Sequence, residues 1–258
     1  MQSSACRTAL FAVALLAACG DGGGNGQSSA SVVAARGDNT ASVDEFRALL
    51  GGANNGGTPG EHAAGRREIN WDGVPDELAA PNFLPPDFFN AAAAPRARGA
   101  FFATPGDGVQ VSADADNPAG AAVRFGDVNP TYADRFVAFS EERLFSPLGS
   151  NIVDLTFFVA GSDVPAAVSG FGAVYTGVDR AGSAFEFFDR DDRLLGRFPV
   201  PRSEEGRSFL GVAFDEAVVA RVRIAYGNVA LGPDEGAGVD VAVMDDFIYG
   251  EPHPIAQP

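Results

Sequence analysis

The stretch Val218-Val219-Ala220-Arg221-Val222-Arg223-Ile224-Ala225-Tyr226 decides the fold class. Side chains of an extended strand alternate between two faces, so Ala220, Val222, Ile224 and Tyr226 share one face and Arg221 and Arg223 the other. A helix would scatter the same residues around its circumference. Residues 152–159 repeat the pattern, with Val153, Leu155, Phe157 and Val159 opposite Asp154 and Thr156. Residues 209–214 do so again through Leu210, Val212 and Phe214. Residues 184–188 and 194–200 flank Asp189-Arg190-Asp191-Asp192-Arg193, which predicts a hairpin. Further strands are expected at 100–103, 109–112, 121–125, 136–139, 143–145, 169–178 and 239–249. The glycines inside 169–178 mark a bulge or a close approach of backbone. Short strands at this spacing predict an all-β fold over residues 99–252: a jelly-roll-like antiparallel β-sandwich, not a βαβ fold.

Residues 43–98 read as an N-terminal segment that wraps the sandwich. Its first part, 43–50, is a short helix with Phe46, Leu49 and Leu50 on one side and Ser42 as cap. Pro75, Pro81, Pro85 and Pro86 then forbid a long helix and favour extended chain, docked through Phe83, Leu84, Phe88 and Phe89. Ahead of it, residues 19–42 are mostly Gly, Ser, Asn, Asp and Ala without periodicity, the composition of a flexible tether. Residues 253–258 form a short polar tail.

The first 18 residues have the layout of a secretory signal. Arg7 is their only charge, an apolar run reaches Ala18, and Leu16-Ala17-Ala18-Cys19 closes it. This ending resembles the bacterial lipoprotein lipobox, in which the cysteine is lipidated and becomes the mature N-terminus. The resemblance implies a signal peptide over 1–18, lipidation at Cys19, and a protein anchored in the cell envelope, at the outer membrane or cell surface. The apolar run is too short for a transmembrane helix, which needs roughly 20 apolar residues.

Composition narrows the function. The net charge of −16 becomes −17 once Arg7 leaves with the signal. Such acidity excludes a nucleic-acid partner, which would need a basic surface. Cys6 leaves with the signal and Cys19 carries lipid, so no disulfide, thiol nucleophile or cysteine metal site remains. His62 and His253, the only histidines, sit in polar or proline-flanked segments and read as solvated. No nucleophile elbow, P-loop or metalloprotease helix is present.

Several stretches carry a family resemblance: Arg67-Glu68-Ile69-Asn70-Trp71-Asp72-Gly73-Val74-Pro75, Ser169-Gly170-Phe171-Gly172-Ala173-Val174 and Met244-Asp245-Asp246-Phe247-Ile248-Tyr249-Gly250-Glu251-Pro252. With Phe187-Phe188-Asp189 and Phe209-Leu210-Gly211-Val212, they resemble a functionally uncharacterised family of exported bacterial proteins, over roughly residues 43–252. The Asp-Asp-aromatic ending is also similar to the last strand of galactose-binding-like jelly rolls. Neither resemblance carries over a catalytic residue.

Four residues stand out as site candidates. Trp71 and Asp72 form a candidate ligand-binding pair in which the indole stacks on a sugar; the alternative for Trp71 is a plug at the core edge. Asp245 and Asp246 are candidate ligands of a structural calcium ion, because alternation aims one of the two carboxylates at an apolar face, where it needs hydrogen bonds or a cation. Backbone N–H groups or an arginine are the alternative to the ion. Asp189-Arg190-Asp191-Asp192 looks like a calcium loop, but Arg193 and Leu194 break the spacing. These readings favour a non-catalytic module that binds glycan or another envelope component. An adhesive protein that binds another protein and a carbohydrate-active hydrolase or lyase are the alternatives.

Overall fold

The computed structural model describes residues 29–204, 206–232 and 236–255. The signal, Cys19 and the first part of the expected tether lie outside these residues. In chain order the elements are β1 (Ala30–Arg36), α1 (Thr40–Leu50), β2 (Arg66–Ile69), β3 (Ala100–Ala103), β4 (Gly108–Val111), α2 (Tyr132–Arg135), β5 (Phe145–Leu148) and β6 (Ile152–Phe157). They continue through β7 (Ala166–Ala167), β8 (Gly170–Thr176), β9 (Ala184–Phe188), β10 (Leu194–Pro199), β11 (Arg207–Phe214), β12 (Arg221–Ala225), β13 (Val243–Gly250) and β14 (His253–Pro254).

One sheet has seven strands in the order β1-β11-β8-β13-β5-β4, with β2 also paired to β13. The other has five, β10-β9-β12-β6-β3. Every pairing between these strands is antiparallel. The two sheets pack as a jelly-roll-like sandwich around one large apolar core. Val222 and Ile224 of β12 point into that core, and Arg221 and Arg223 point out, as their alternation requires. The 189–193 turn joins β9 to β10 as a hairpin. Asp189 holds it by accepting from the N–H groups of Asp191 and Arg193, and Asp192 takes the left-handed conformation at φ 60°.

The structure departs from expectation in four places. The tether does not reach residue 42: β1 pairs with β11 over seven residues, and α1 starts at Thr40, with Asn39 rather than Ser42 at the N-cap position and no side-chain cap bond. The wrapping segment is partly integral, since β2 extends the seven-stranded sheet along β13. Residues 121–125 and 136–139 are not strands. They flank the single turn of α2 and bury Phe125, Tyr132 and Phe136 in a small cluster with Leu144, Val241 and Val243. Even the expected tail contributes, since His253 and Pro254 pair with β7. His253 Nδ1 lies 2.8 Å from Glu61 Oε1.

Helix α1 lies across the outer face of the seven-stranded sheet. Its buried Val43, Phe46 and Leu50 pack with Val174, Phe209 and Ile248. The Phe46 ring sits on Gly172 and Gly211, which are paired in register. A Cβ on either glycine would come within 2.7 Å of the ring. The glycines of β8 and β11 therefore serve a close approach of side chain to backbone. Below the same sheet, Arg67 and Glu251 form a fully buried ion pair at 2.6 Å. The guanidinium also donates to the carbonyls of Gly56, Thr58, Gly60 and Ala97, which pins the 56–60 loop. Such a pair is tolerable in a core only when every donor is used, as here. Among the described residues no helix is long and apolar enough to cross a membrane.

Candidate functional site

Asp245 and Asp246 do not alternate. The register of β13 on β8 shifts between Met244 and Phe247, so the two aspartates together oppose Val174. This is a β-bulge, which leaves an extra residue unpaired and re-aims side chains. Met244 and Phe247, three apart, consequently both enter the inter-sheet core. Both carboxylates turn instead to the turn at Phe139–Ser140. Asp245 Oδ2 accepts from the N–H groups of Phe139 (2.5 Å) and Ser140 (3.2 Å). Asp245 Oδ1 accepts from Asp246 N–H (2.9 Å) and lies 3.2 Å from Ser140 Oγ. The same Oγ is 2.6 Å from Asp246 Oδ1. Arg47 Nη2 lies 3.9 Å from Asp246 Oδ2 but is closer to Glu68, at 2.7 Å.

Three of the four carboxylate oxygens are thus engaged by donors of the protein. Among the described residues no three His, Cys, Asp or Glu converge as a metal site requires. In this structure backbone N–H groups, one serine hydroxyl and a distant arginine surround the two carboxylates that the sequence offers as calcium ligands. Burial, and then the charge of Asp246, pushes the Asp245 carboxyl up to about 8. Burial also raises Asp246, against the hydrogen bond from Ser140 and the charge of Arg47.

Trp71 is fully buried. Its ring stacks on Phe145 with centroids 4.2 Å apart and planes 10° apart, and Phe89, Phe102 and Phe247 meet it from other sides. Its Nε1–H donates to the carbonyl of Asp245 at 3.1 Å. No face of the indole is open to a sugar, so Trp71 is a core residue that buttresses the bulge. It does so from the left-handed conformation at φ 69°, which is rare for a bulky side chain. Asp72, by contrast, reaches the surface. Its Oδ1 accepts from Arg143 N–H at 3.1 Å, and burial raises its carboxyl. It lines a cavity of about 590 Å³ with Asp114, Asp116, Glu141, Glu142 and Arg143. The sequence pair Trp71–Asp72 therefore divides between core and cavity.

The outer face of the five-stranded sheet is the other candidate. No helix covers it. Strand register places Phe101, Thr156, Arg221, Phe188 and Leu194 in one row across all five strands. The next row is Ala103, Asp154, Arg223, Glu186 and Arg197. The Arg221 guanidinium stacks over the Phe188 ring at 3.8 Å. Asp154 receives Arg221 at 2.8 Å and Arg223 in a two-pronged pair at 2.9–3.0 Å, and Arg221 also reaches Asp192. Glu186 pairs with Arg197 at 3.3 Å. Leu194 is 58 % exposed at the edge. The two rows form an outward surface that combines a guanidinium–ring stack with guanidinium–carboxylate forks. Alternation in the sequence does mark Arg221, Arg223 and Asp154 as outward. Their meeting with Phe188 and Glu186 depends on strand order, which the sequence does not display.

No family model, curated protein or solved structure matches this chain.

Proposed function

We propose that this chain is an exported, lipid-anchored envelope protein and that its sandwich is a non-catalytic glycan-binding module. The single observation behind the binding reading is the uncovered Arg221–Phe188 stack on the five-stranded sheet. Sugar rings pack their C–H faces on aromatic rings, and guanidinium–carboxylate forks exchange hydrogen bonds with hydroxyl pairs. The face carries the guanidinium-stacked ring beside the guanidinium–carboxylate forks, and the outer edges of both are what a sugar would meet. The anchoring reading rests on Leu16-Ala17-Ala18-Cys19.

The binding test is a glycan array probed with the mature chain, beside Phe188→Ala and Arg221→Ala. Retention of a glycan by the parent and its loss in both variants is the expected result. If no glycan is retained, and an envelope protein is pulled down through the same face, the adhesive alternative replaces this reading. The anchor is tested separately: Cys19→Ala is expected to abolish labelling with radioactive fatty acid and to release the protein or leave its signal uncut. A variant that stays labelled like the parent refutes the anchor.

A further inference from the structure

We infer that Arg180 and Arg202, at one end of the sandwich, form a receptor for a single oxyanion: the carboxylate or phosphate group of an otherwise uncharged ligand. A census of the arginines leads here. Among the described residues, ten arginines hold a carboxylate within 4.0 Å. Arg96, Arg98 and Arg207 lie over phenyl rings, and Arg124 donates to the Ala133 carbonyl. Of the described arginines, Arg36, Arg180 and Arg202 are left with no such partner. Two of these three line the same cavity, of about 390 Å³, together with Asp179 and Glu204. In a chain with a net charge of −16, a guanidinium without a carboxylate is the exception, and here two meet.

The backbone under both side chains is fixed. Arg180 lies on the connection from β8 to β9, and Arg202 on the connection from β10 to β11. The buried carboxylate of Asp240 accepts from the N–H groups of Asp179 and Arg180, both at 3.0 Å. Ser203 N–H donates to the Val178 carbonyl at 2.8 Å, which ties the second connection to the first. Each guanidinium offers a planar fork of N–H donors that matches a carboxylate or a phosphate. Of the two acids in the lining, Asp179 is held by Arg135 at 2.7 Å, and Glu204 is the competitor that remains. The cavity has the volume of a small-molecule site and exceeds what a bare ion fills. The charge of the whole chain repels a polymer that is anionic at every unit, so the group recognised is a single anion. Ala184 pairs with Pro199 at this end of the β9–β10 hairpin, and the 189–193 turn closes the other end. The receptor is thus separate from the Arg221–Phe188 stack and does not rest on the glycan reading.

The test is a titration of the mature chain, followed by nitrogen-15 NMR, with inorganic phosphate, acetate and chloride as probes at matched ionic strength. Phosphate and acetate separate the two oxyanions, and chloride reports screening alone. The Nε–H signals of Arg180 and Arg202 are expected to shift along a saturating curve with at least one oxyanion and not with chloride. Arg180→Gln and Arg202→Gln are each expected to weaken binding about tenfold, the worth of a hydrogen bond to a charged group. Both side chains are exposed, so the melting temperature of either variant is expected to stay at the parent's. Glu204→Gln is expected to tighten binding several-fold, because it removes the competing carboxylate. A response to both oxyanions no different from chloride's, binding that survives both arginine variants, or a Glu204→Gln variant that binds no tighter than the parent overturns the inference.

Discussion

The two outer faces of the sandwich are built on opposite principles. On the seven-stranded sheet, Gly172 and Gly211 remove side chains so that Phe46 of α1 can press onto the backbone. On the five-stranded sheet, the equivalent outward positions keep long side chains, and Asp154, Arg221, Arg223, Glu186 and Arg197 saturate one another in the plane. The first face is closed by apolar contact. The second needs no cover, because its polar groups already have partners. A sheet face bearing unpaired charges would bind its neighbours indiscriminately, while one bearing paired charges around a ring stack can stay open and still offer recognition.

The contrast can be broken from its closed side with the largest effect. Phe46→Ala removes the ring that seats α1 and leaves a cavity over two glycines, so chemical denaturation is expected to show a loss of about 3–5 kcal/mol. A loss below about 1 kcal/mol would mean that the helix is not seated by this residue. Gly211→Ala overfills the same spot, since its Cβ would lie 2.5 Å from the Phe46 ring. A cost of about 1–3 kcal/mol is expected, and Phe46→Leu in the same chain should recover part of it. On the open side the effects are smaller. Asp154→Ala strips the hub of the charge ladder and is expected to cost about 1 kcal/mol, shrinking with added salt because the group is partly exposed. Arg197→Ala, at the half-exposed edge of the ladder, should stay within about 0.5 kcal/mol. A reversal of order between Phe46→Ala and Asp154→Ala would erase the distinction between the faces.

How far the sequence reveals these faces depends on what enforces each element. Residues 221–225 are legible because burial on one side only imposes strict alternation, and Asp189-Arg190-Asp191-Asp192-Arg193 is legible because turn chemistry is local. Strand β1 is not. Of its seven residues only Val33 is buried, so Ala30-Ser31-Val32-Val33-Ala34-Ala35-Arg36 has the composition of a tether and becomes a strand only because β11 presents an edge. The candidate site is hidden for a related reason. Alternation puts Asp245 and Asp246 on opposite faces, and the bulge puts them together. Local sequence offers one hint, the presence of two poor strand formers in the middle of a buried strand. Ser140 offers none, since its role arises from a contact more than a hundred residues away.

The pairing of β1 with β11 also sets a schedule. Ala30 meets Phe214, so the first described strand cannot find its partner until the chain has been made as far as β11. Closing so long a loop is slow compared with local hairpins, and synthesis runs from the N-terminus. During that interval β1 waits as an unpaired ribbon, and β13, made after β11, still has to fill the place beside β8. Any chain cut short before residue 207 keeps β1 without a berth. Completion of the seven-stranded sheet thus requires the chain as far as Gly250.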